Sequence, residues 1–251
     1  GKDGTSSTGV GRILLTETPT LIGSVDALES GRNTARQDTK IVPYLLGTVG
    51  ANGLSQDSSN PNTFVTYHET GGLRPLDIET EFATNQLVDG ANTRITTPTS
   101  FGAGTVNSLV LSINGGTNAL SLTGELTVAS GAILFTNSNS ISGGTLQFGQ
   151  NEAIISVNNG TTATLSTRIR GEGGLTLNGP GTIGLSNTQS DYTGGTFVQG
   201  GAVIVPQANT VGTGESLVSG PFGKGDIIFV DGGIRSAQGA PYTVGNNVKL
   251  R

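Results

Sequence analysis

Three glycines near the middle of the chain have the spacing of a phosphate-binding loop. In the stretch LNGPGTIGLS they form Gly179-x-Gly181-x-x-Gly184, the glycine pattern of a dinucleotide site. That chemistry needs a helix whose N-terminus holds the pyrophosphate and an acidic residue about 20 positions later. Here Asp191 comes too early, and the run TFVQGGAVIV follows in place of a helix. We therefore interpret the glycines as turn residues between strands and predict no cofactor.

The chain has a single histidine, His68, and it stands near several carboxylates. Glu69, Asp77, Glu79 and Glu81 are candidate partners for acid–base work or for a metal. A metal site with one imidazole is weak, and the three later carboxylates alternate with apolar residues, which is typical of the solvated side of a short helix. We predict that none of these residues is catalytic or binds a metal.

The composition limits the class of protein. Glycine accounts for 41 of 251 residues, against a usual share of about 7 %, and only 12 % of residues are charged. The absence of cysteine excludes disulfides and thiolate metal sites. A net charge of -5 argues against nucleic acid as a partner, and no apolar run approaches the roughly 20 residues of a membrane helix, so we expect no membrane insertion by this segment. The opening residues GKDGTSSTGV lack Met and a signal core, which predicts a processed chain or an excised piece.

The charges are concentrated toward the N-terminus, which predicts two regions. Residues 1–100 carry 18 of the 31 charges and are predicted to be an irregular cap or junction, whereas residues 101–251 are predicted to be the repetitive part. Within the first region, the apolar runs Ile13 to Leu15 and Ile41 to Leu46 predict short strands. The run LDIETEFATNQLV, from Leu76 to Val88, places Ile78 and Phe82 on one side and predicts the one short helix.

The second region is a series of short apolar runs separated by glycine turns. Runs such as ALSLTG, ELTVA, LTLNG and AVIVP alternate apolar residues with Ser, Thr or Asn, which gives each strand one buried and one wet face. Strands this short are not stable as isolated hairpins, so they must stack. A core of aliphatic residues with few aromatics favours a parallel β-helix over a sandwich. The predicted fold is all-β, a parallel β-solenoid of roughly 25 residues per coil.

One stretch carries a specific family likeness. The segment GEGGLTLNGPGTIGLSNTQSDYTGGTFVQGGAVIV, residues 171–205, resembles the autotransporter-associated β-strand repeat of bacterial surface proteins. The matching residues are Gly173, Gly174, Leu175, Leu177, Gly179, Gly181, Tyr192, Thr193, Gly194, Gly195, Thr196, Val198 and Gly201. The resemblance implies a right-handed β-helix on an exported polypeptide, at the cell surface or outside the cell, with roles in passenger transport, adhesion or self-association. It implies no catalytic residues.

An enzyme on the same fold is the main alternative. Parallel β-helices also carry polysaccharide lyases and glycosidases, and the latter need two carboxyl groups about 5–10 Å apart. Between residues 101 and 200 the charged residues are Glu125, Glu152, Arg168, Arg170, Glu172 and Asp191. Their convergence on one outward groove would favour an enzyme, whereas their scattering over different faces would exclude it.

The sequence thus predicts a non-enzymatic structural or adhesive β-solenoid. Its expected partners are a second copy, stacked head to tail or laterally, the remainder of a longer passenger chain, or surface carbohydrate. The last residues, TVGNNVKLR, look like an unfinished coil without a cap, which predicts that the chain continues or that copies stack into fibres. A module that aids export of a larger passenger is a third alternative.

Overall fold

Short strands joined by tight turns make up the computed structural model, which describes residues 13–28, 36–49, 60–114, 119–237 and 241–251. In these residues the one helical segment is a 3-10 turn at Gly214–Ser216. The strands are β1 (Val42–Gly47), β2 (Thr63–His68), β3 (Gly72–Pro75), β4 (Ala83–Thr84), β5 (Asn92–Ile95), β6 (Thr99–Phe101), β7 (Gly104–Val106), β8 (Ser108–Leu111), β9 (Leu120–Val128), β10 (Ala132–Phe135), β11 (Asn139–Gln147), β12 (Ala153–Val157), β13 (Thr162–Leu165), β14 (Arg168–Arg170), β15 (Leu175–Asn178), β16 (Thr182–Leu185), β17 (Thr196–Val198), β18 (Ala202–Pro206), β19 (Ile227–Phe229), β20 (Gly232–Ile234) and β21 (Val248–Leu250).

Most of these strands belong to two long parallel sheets. The first sheet, named face 1, has the order β4-β5-β8-β10-β12-β15-β17-β19-β21. The second, face 2, has the order β6-β9-β11-β13-β16-β18-β20. The chain passes between the two sheets on every turn, and the neighbouring strands within each sheet are parallel. Hairpins are therefore ruled out as the basis of these sheets, and the chain winds as a coil.

A third side, face 3, completes each coil. The second halves of β9 and β11 bend across a corner and pair with β7 and β14. The bend in β11 coincides with a register shift between Gly143 and Thr145. Farther along, the same side is held by backbone bonds, as where the N–H of Asp191 donates to the carbonyl oxygen of Ile169 at 3.1 Å.

The core is the interior of the coil, where equivalent residues stack from one strand to the next. One such column on face 1 consists of Leu109, Ile133, Ile155, Leu177 and Val198, which are successive register partners and are all fully buried. Neighbouring strands lie about 4.8 Å apart, so each side chain contacts its equivalents above and below. Burying each of these side chains contributes roughly 1.5–3 kcal/mol.

The length of the coils agrees with the predicted repeat. Twenty-two residues separate Ile133 from its partner Ile155, and 21 separate Leu177 from Val198. A longer coil of 31 residues joins Val198 to Phe229, because residues 207–226 form an excursion that contains the 3-10 turn. The prediction of an all-β parallel solenoid is confirmed.

A three-stranded antiparallel sheet, β1-β2-β3, covers one flank of the solenoid. Its segment contributes Phe64, Leu76 and Phe82 to a second apolar cluster. Val110 and Leu134 complete that cluster, and these two residues point outward from face 1. The sequence predicts an irregular segment here with short strands at Ile13 to Leu15 and Ile41 to Leu46. The second is confirmed as β1, whereas the first is wrong, because residues 13–15 form no strand.

At its N-terminal end the solenoid begins before residue 101, the boundary that the charge distribution predicts. Strands β4 and β5 precede that residue and β6 ends at it, and all three pair in parallel within face 1 or face 2. The inward side chains of these first coils are covered. Ile95, Phe101 and Val106 are each at most 4 % exposed.

The predicted helix at Leu76 to Val88 is wrong. The Asp77 carboxylate accepts the backbone N–H groups of Glu79 and Thr80 at 3.1 and 3.0 Å, which closes a single turn. The chain then enters β4, where Ala83 pairs with Thr93. The helical periodicity is overridden because these residues gain more from joining the parallel sheet than from propensity alone.

Candidate functional site

The glycine-rich stretch of the repeat motif is a corner between two faces of the solenoid. Leu175–Asn178 forms β15 on face 1, and Thr182–Leu185 forms β16 on face 2. A Cβ on Gly181 would meet the Asn158 carbonyl oxygen of the preceding coil at 2.6 Å. Gly179 lies against the same coil and has a φ of +92°, a backbone conformation that favours glycine. The glycines are thus required by the close stacking of coils, and a strand stands where a nucleotide site needs a helix.

The TyrThrGlyGlyThr part of the motif forms the next corner, and its tyrosine lies inside the core. The hydroxyl groups of Tyr192 and Thr196 are 2.6 Å apart, and Thr196 also donates to the Phe222 carbonyl oxygen at 3.2 Å. Burial raises the pKa of Tyr192 well above its ordinary value, and the hydrogen bond to Thr196 opposes this only in part. Tyr192 therefore stays protonated, and it stabilises the corner through its hydrogen bond to Thr196 rather than serving as an acid or a base.

Four of the six charged residues between positions 101 and 200 converge on face 3. Arg168 donates to Asp191 at 2.7 Å, and the Nε of Arg170 lies 3.5 Å from the same carboxylate. The other end of the Arg170 guanidinium lies 4.0 Å from Glu125. This charged network spans neighbouring coils and is partly exposed, so each pair contributes at most about 1 kcal/mol to stability.

The remaining carboxylates lie elsewhere. Glu152 directly precedes β12 on face 1, and its carboxylate accepts a hydrogen bond from the hydroxyl of Thr176 on the next coil. Glu172 lies at the corner that leads to face 1, within hydrogen-bond reach of Gln150 at 3.4 Å. The sequence criterion for an enzyme is thus met only in part, because Glu125 and Asp191 share a face while Glu152 does not.

The histidine and the early carboxylates are not brought together. His68 ends β2, where its Nδ1 accepts the N–H groups of Thr70 and Gly71 at 3.2 and 3.3 Å, so the ring stabilises a turn. Glu81 is fully buried and accepts two hydrogen bonds from Arg74, at 2.7 and 2.8 Å. Across the described part of the chain, no group of three His, Cys, Asp or Glu residues is arranged to hold a metal.

Two adjoining hollows mark the corner between face 3 and face 1, and together we name them the corner groove. The hollow on face 1 has a volume of about 390 Å³ and is lined mainly by Gln150, Glu152, Thr176, Phe197 and Gln199. The hollow on face 3 has a volume of about 350 Å³ and is lined mainly by Gln147, Gln150, Arg170, Glu172, Asp191 and Lys224. Gln150 lines both hollows, so they adjoin at this residue on the corner.

Phe197 was not among the residues singled out from the sequence. Thr196 and Val198 point into the core, so Phe197 points outward, stacked between Thr176 and Ile228 on face 1. A Cβ on Gly174 would meet the ring of Phe197 at 3.4 Å, which shows that the ring lies against bare backbone. The signal was present in the strand alternation, because Phe197 stands between the two inward residues Thr196 and Val198 and is therefore expected to point outward.

The C-terminal end of the solenoid differs from the N-terminal end. Val248 and Leu250 extend the inward columns of face 1, yet they are 58 % and 83 % exposed. Ile234, which extends an inward column of face 2, is 53 % exposed. The interior of the coil is therefore open at this end, and the outer edges of β20 and β21 have no neighbouring strand in the described residues.

Comparisons with known proteins give no independent guide to function. No protein-family model, curated protein or solved structure matches the chain. None of the helices in the described residues is long and apolar enough to cross a membrane. The features of the molecule that bear on its function are therefore the corner groove, the charged network and the open C-terminal end of the solenoid.

Proposed function

We propose that the chain is a non-enzymatic structural and adhesive β-solenoid of an exported bacterial surface protein. The observation that carries the proposal is the contrast between the two ends of the coil. Inward residues are covered at the N-terminal end, whereas Val248, Leu250 and Ile234 continue the core columns into solvent at the other. Such an end is suited to the addition of another coil, which either further residues of a longer chain or a second copy can supply.

For the isolated chain, a second copy is the occupant that this geometry favours. An edge strand offers free N–H and C=O groups, and exposed apolar side chains beside it add a hydrophobic contribution. Head-to-tail stacking would need a matching open end at the N-terminus, and Ile95, Phe101 and Val106 are covered there. Two copies therefore meet through their C-terminal ends, with the β21 strands antiparallel across a two-fold axis.

Replacing Val248 by Asp tests this association. In sedimentation velocity, the wild-type chain is expected to shift from monomer to dimer as its concentration rises, because the apolar ends become covered. Val248→Asp places a charge at the centre of the contact and is expected to remain monomeric at the same concentrations. Tyr44→Asp is the matched control, since Tyr44 is 61 % exposed on the flanking sheet against 58 % for Val248. Monomeric wild type at all concentrations, or a dimer that Val248→Asp leaves intact, would contradict the proposal.

A polysaccharide-active enzyme is the second candidate, and one observation favours it. Glu125 and Asp191 both approach Arg170 on face 3, so two carboxylates do share an outward surface. Both carboxylates lie beside the same arginine, Arg170, which suits a structural ladder better than a pair of groups that transfer protons. Release of reducing ends or unsaturated products from a polysaccharide panel, abolished by Glu125→Gln or Asp191→Asn, would establish the enzyme and overturn our proposal.

A further inference from the structure

We propose that the corner groove binds a neutral polysaccharide chain. The groove consists of two adjoining hollows of about 390 and 350 Å³ that share Gln150 as a lining residue. It is open along the surface, so a polymer can pass through it with both ends free. The binding gives the adhesive part of the proposed function a site and a ligand class. Its biological role rests on the proposed function, whereas the binding itself does not.

The lining has the chemistry that recognises sugar hydroxyl groups. The amides of Gln150 and Gln199 each offer both a donor and an acceptor, and Gln147, whose Oε1 accepts the backbone N–H groups of Phe148 and Gly149, adds an amide N–H donor. Arg170 and Lys224 donate only, and they line the same hollow as the carboxylates of Glu172 and Asp191, which accept only. A hydroxyl group both donates and accepts, so a polyhydroxylated chain can satisfy all three kinds of group at once. Hydrogen bonds to the charged groups are the stronger ones.

Phe197 supplies the apolar surface that a sugar ring needs. Its ring lies on the backbone of Gly174 and points outward between Thr176 and Ile228. An aromatic face held in this way is rigid, and one side of a pyranose ring presents mainly C–H groups. Stacking of the two removes apolar area from water at little cost in side-chain entropy. Gln150 and Gln199 lie in the same hollow, where they can reach the rim of a stacked sugar.

Charge decides between a neutral and an acidic chain. Glu152, Glu172 and Asp191 line the groove, and the whole chain has a net charge of -5. The lining cations are Lys224 and Arg170, so the carboxylates outnumber them by three to two, and Arg170 lies 3.5 Å from Asp191, which partly neutralises it. A uronate or sulfate polymer would meet these carboxylates at several points along the groove and be repelled, since like charges in contact are unfavourable. A neutral chain incurs no such penalty.

Affinity electrophoresis in native gels tests the site. The probes are soluble neutral polysaccharides, namely mixed-linkage β-glucan, arabinoxylan, galactomannan and dextran, with polygalacturonate as the acidic comparison. At least one neutral polymer is expected to slow the wild-type chain, and polygalacturonate is not. Phe197→Ala and Gln150→Ala are each expected to weaken the retardation roughly tenfold, as measured by the polymer concentration needed. Ser121→Ala, an exposed hydroxyl on face 2, is the matched control and is expected to bind normally.

Phe197→Trp separates binding from folding, because it keeps an aromatic face at the same place and is expected to retain the retardation. The proposal is overturned if no neutral polymer slows the wild type, if only polygalacturonate does, or if Phe197→Ala binds as well as the wild type. These outcomes leave the end-to-end association unaffected, since that is measured by sedimentation without any polysaccharide.

Discussion

Ile183→Asp is expected to lower the free energy of unfolding by more than about 4 kcal/mol, and Thr182→Asp by less than about 0.5 kcal/mol. The two residues are neighbours on β16, so they share the same strand and the same coil. Ile183 is fully buried between its register partners Ala163 and Ile204. An aspartate there would leave a carboxylate in the core without a partner and would also open a cavity.

Thr182 is the matched control because it points to the outer side of face 2, where it is only partly buried between Thr162 and Val203. Urea or thermal unfolding followed by circular dichroism measures both variants. Equal losses of stability would contradict the inward and outward assignment of the repeat. If Ile183→Asp does not fold at all, Ile183→Ala, with an expected loss of about 2–5 kcal/mol, keeps the comparison quantitative.

Arg74→Met is expected to cost about 3–5 kcal/mol in the stability of the flanking sheet and the first coils. The guanidinium of Arg74 meets Glu81 through bonds of 2.7 and 2.8 Å, and their side chains are only 6 % and 0 % exposed. Removal of the cation leaves the Glu81 carboxylate buried without its counter-charge. That carboxylate also accepts the N–H of Asp77, which ties the turn to the sheet.

The double variant Arg74→Met with Glu81→Gln distinguishes loss of charge pairing from loss of packing. Glutamine keeps an acceptor for the Asp77 N–H but carries no charge, so at least half of the lost stability is expected to return. Hydrogen exchange of β1, β2 and β3 reports the local effect, and global unfolding reports the total. A double variant that is as unstable as Arg74→Met would show that packing of the arginine, rather than the buried charge, dominates.

The strands of the solenoid were predictable because their signal is local. Alternation in runs such as LTLN and AVIVP depends only on which side of each strand is buried, and glycine turns separate the runs. The inward orientation of Leu175, Leu177 and Val198 therefore follows directly from the pattern, and the structure has all three fully buried. The corner at Gly179 to Gly181 follows as well, since a turn must join two such strands.

The N-terminal region was less predictable because its contacts are long-range. Nothing local indicates that Phe64 and Leu76 cover Val110 and Leu134, which belong to face 1. From the sequence alone, the runs that contain Val110 and Leu134 look like strands that are buried on both sides. The sequence does not indicate which residues cover their outer side. The helical spacing of Ile78 and Phe82 was misleading for the same reason, since Phe82 packs against the solenoid and Glu81 pairs with Arg74.

The corner groove was beyond sequence reasoning for a geometric reason. Gln150 and Phe197 are 47 positions apart in the sequence, and only the coil period brings them together at one corner. A register error of one residue would place Phe197 inside the core and remove the groove. The charged network is similar, because Glu125 and Asp191 both approach Arg170 only when four successive coils are stacked in register.

Disulfide trapping on the cysteine-free chain tests the in-register coil most directly. Thr162, Thr182 and Val203 are successive register partners on face 2. With strands about 4.8 Å apart, cysteines at 162 and 182 fall within the roughly 4.4–6.8 Å that a disulfide requires between Cα atoms, whereas cysteines at 162 and 203 are about 9.6 Å apart. Under mild oxidation the 162/182 pair is expected to cross-link within one chain, and the 162/203 pair is expected to stay reduced. Cross-linking of the 162/203 pair, or none in the 162/182 pair, would contradict the stacked coil on which the proposed functions depend.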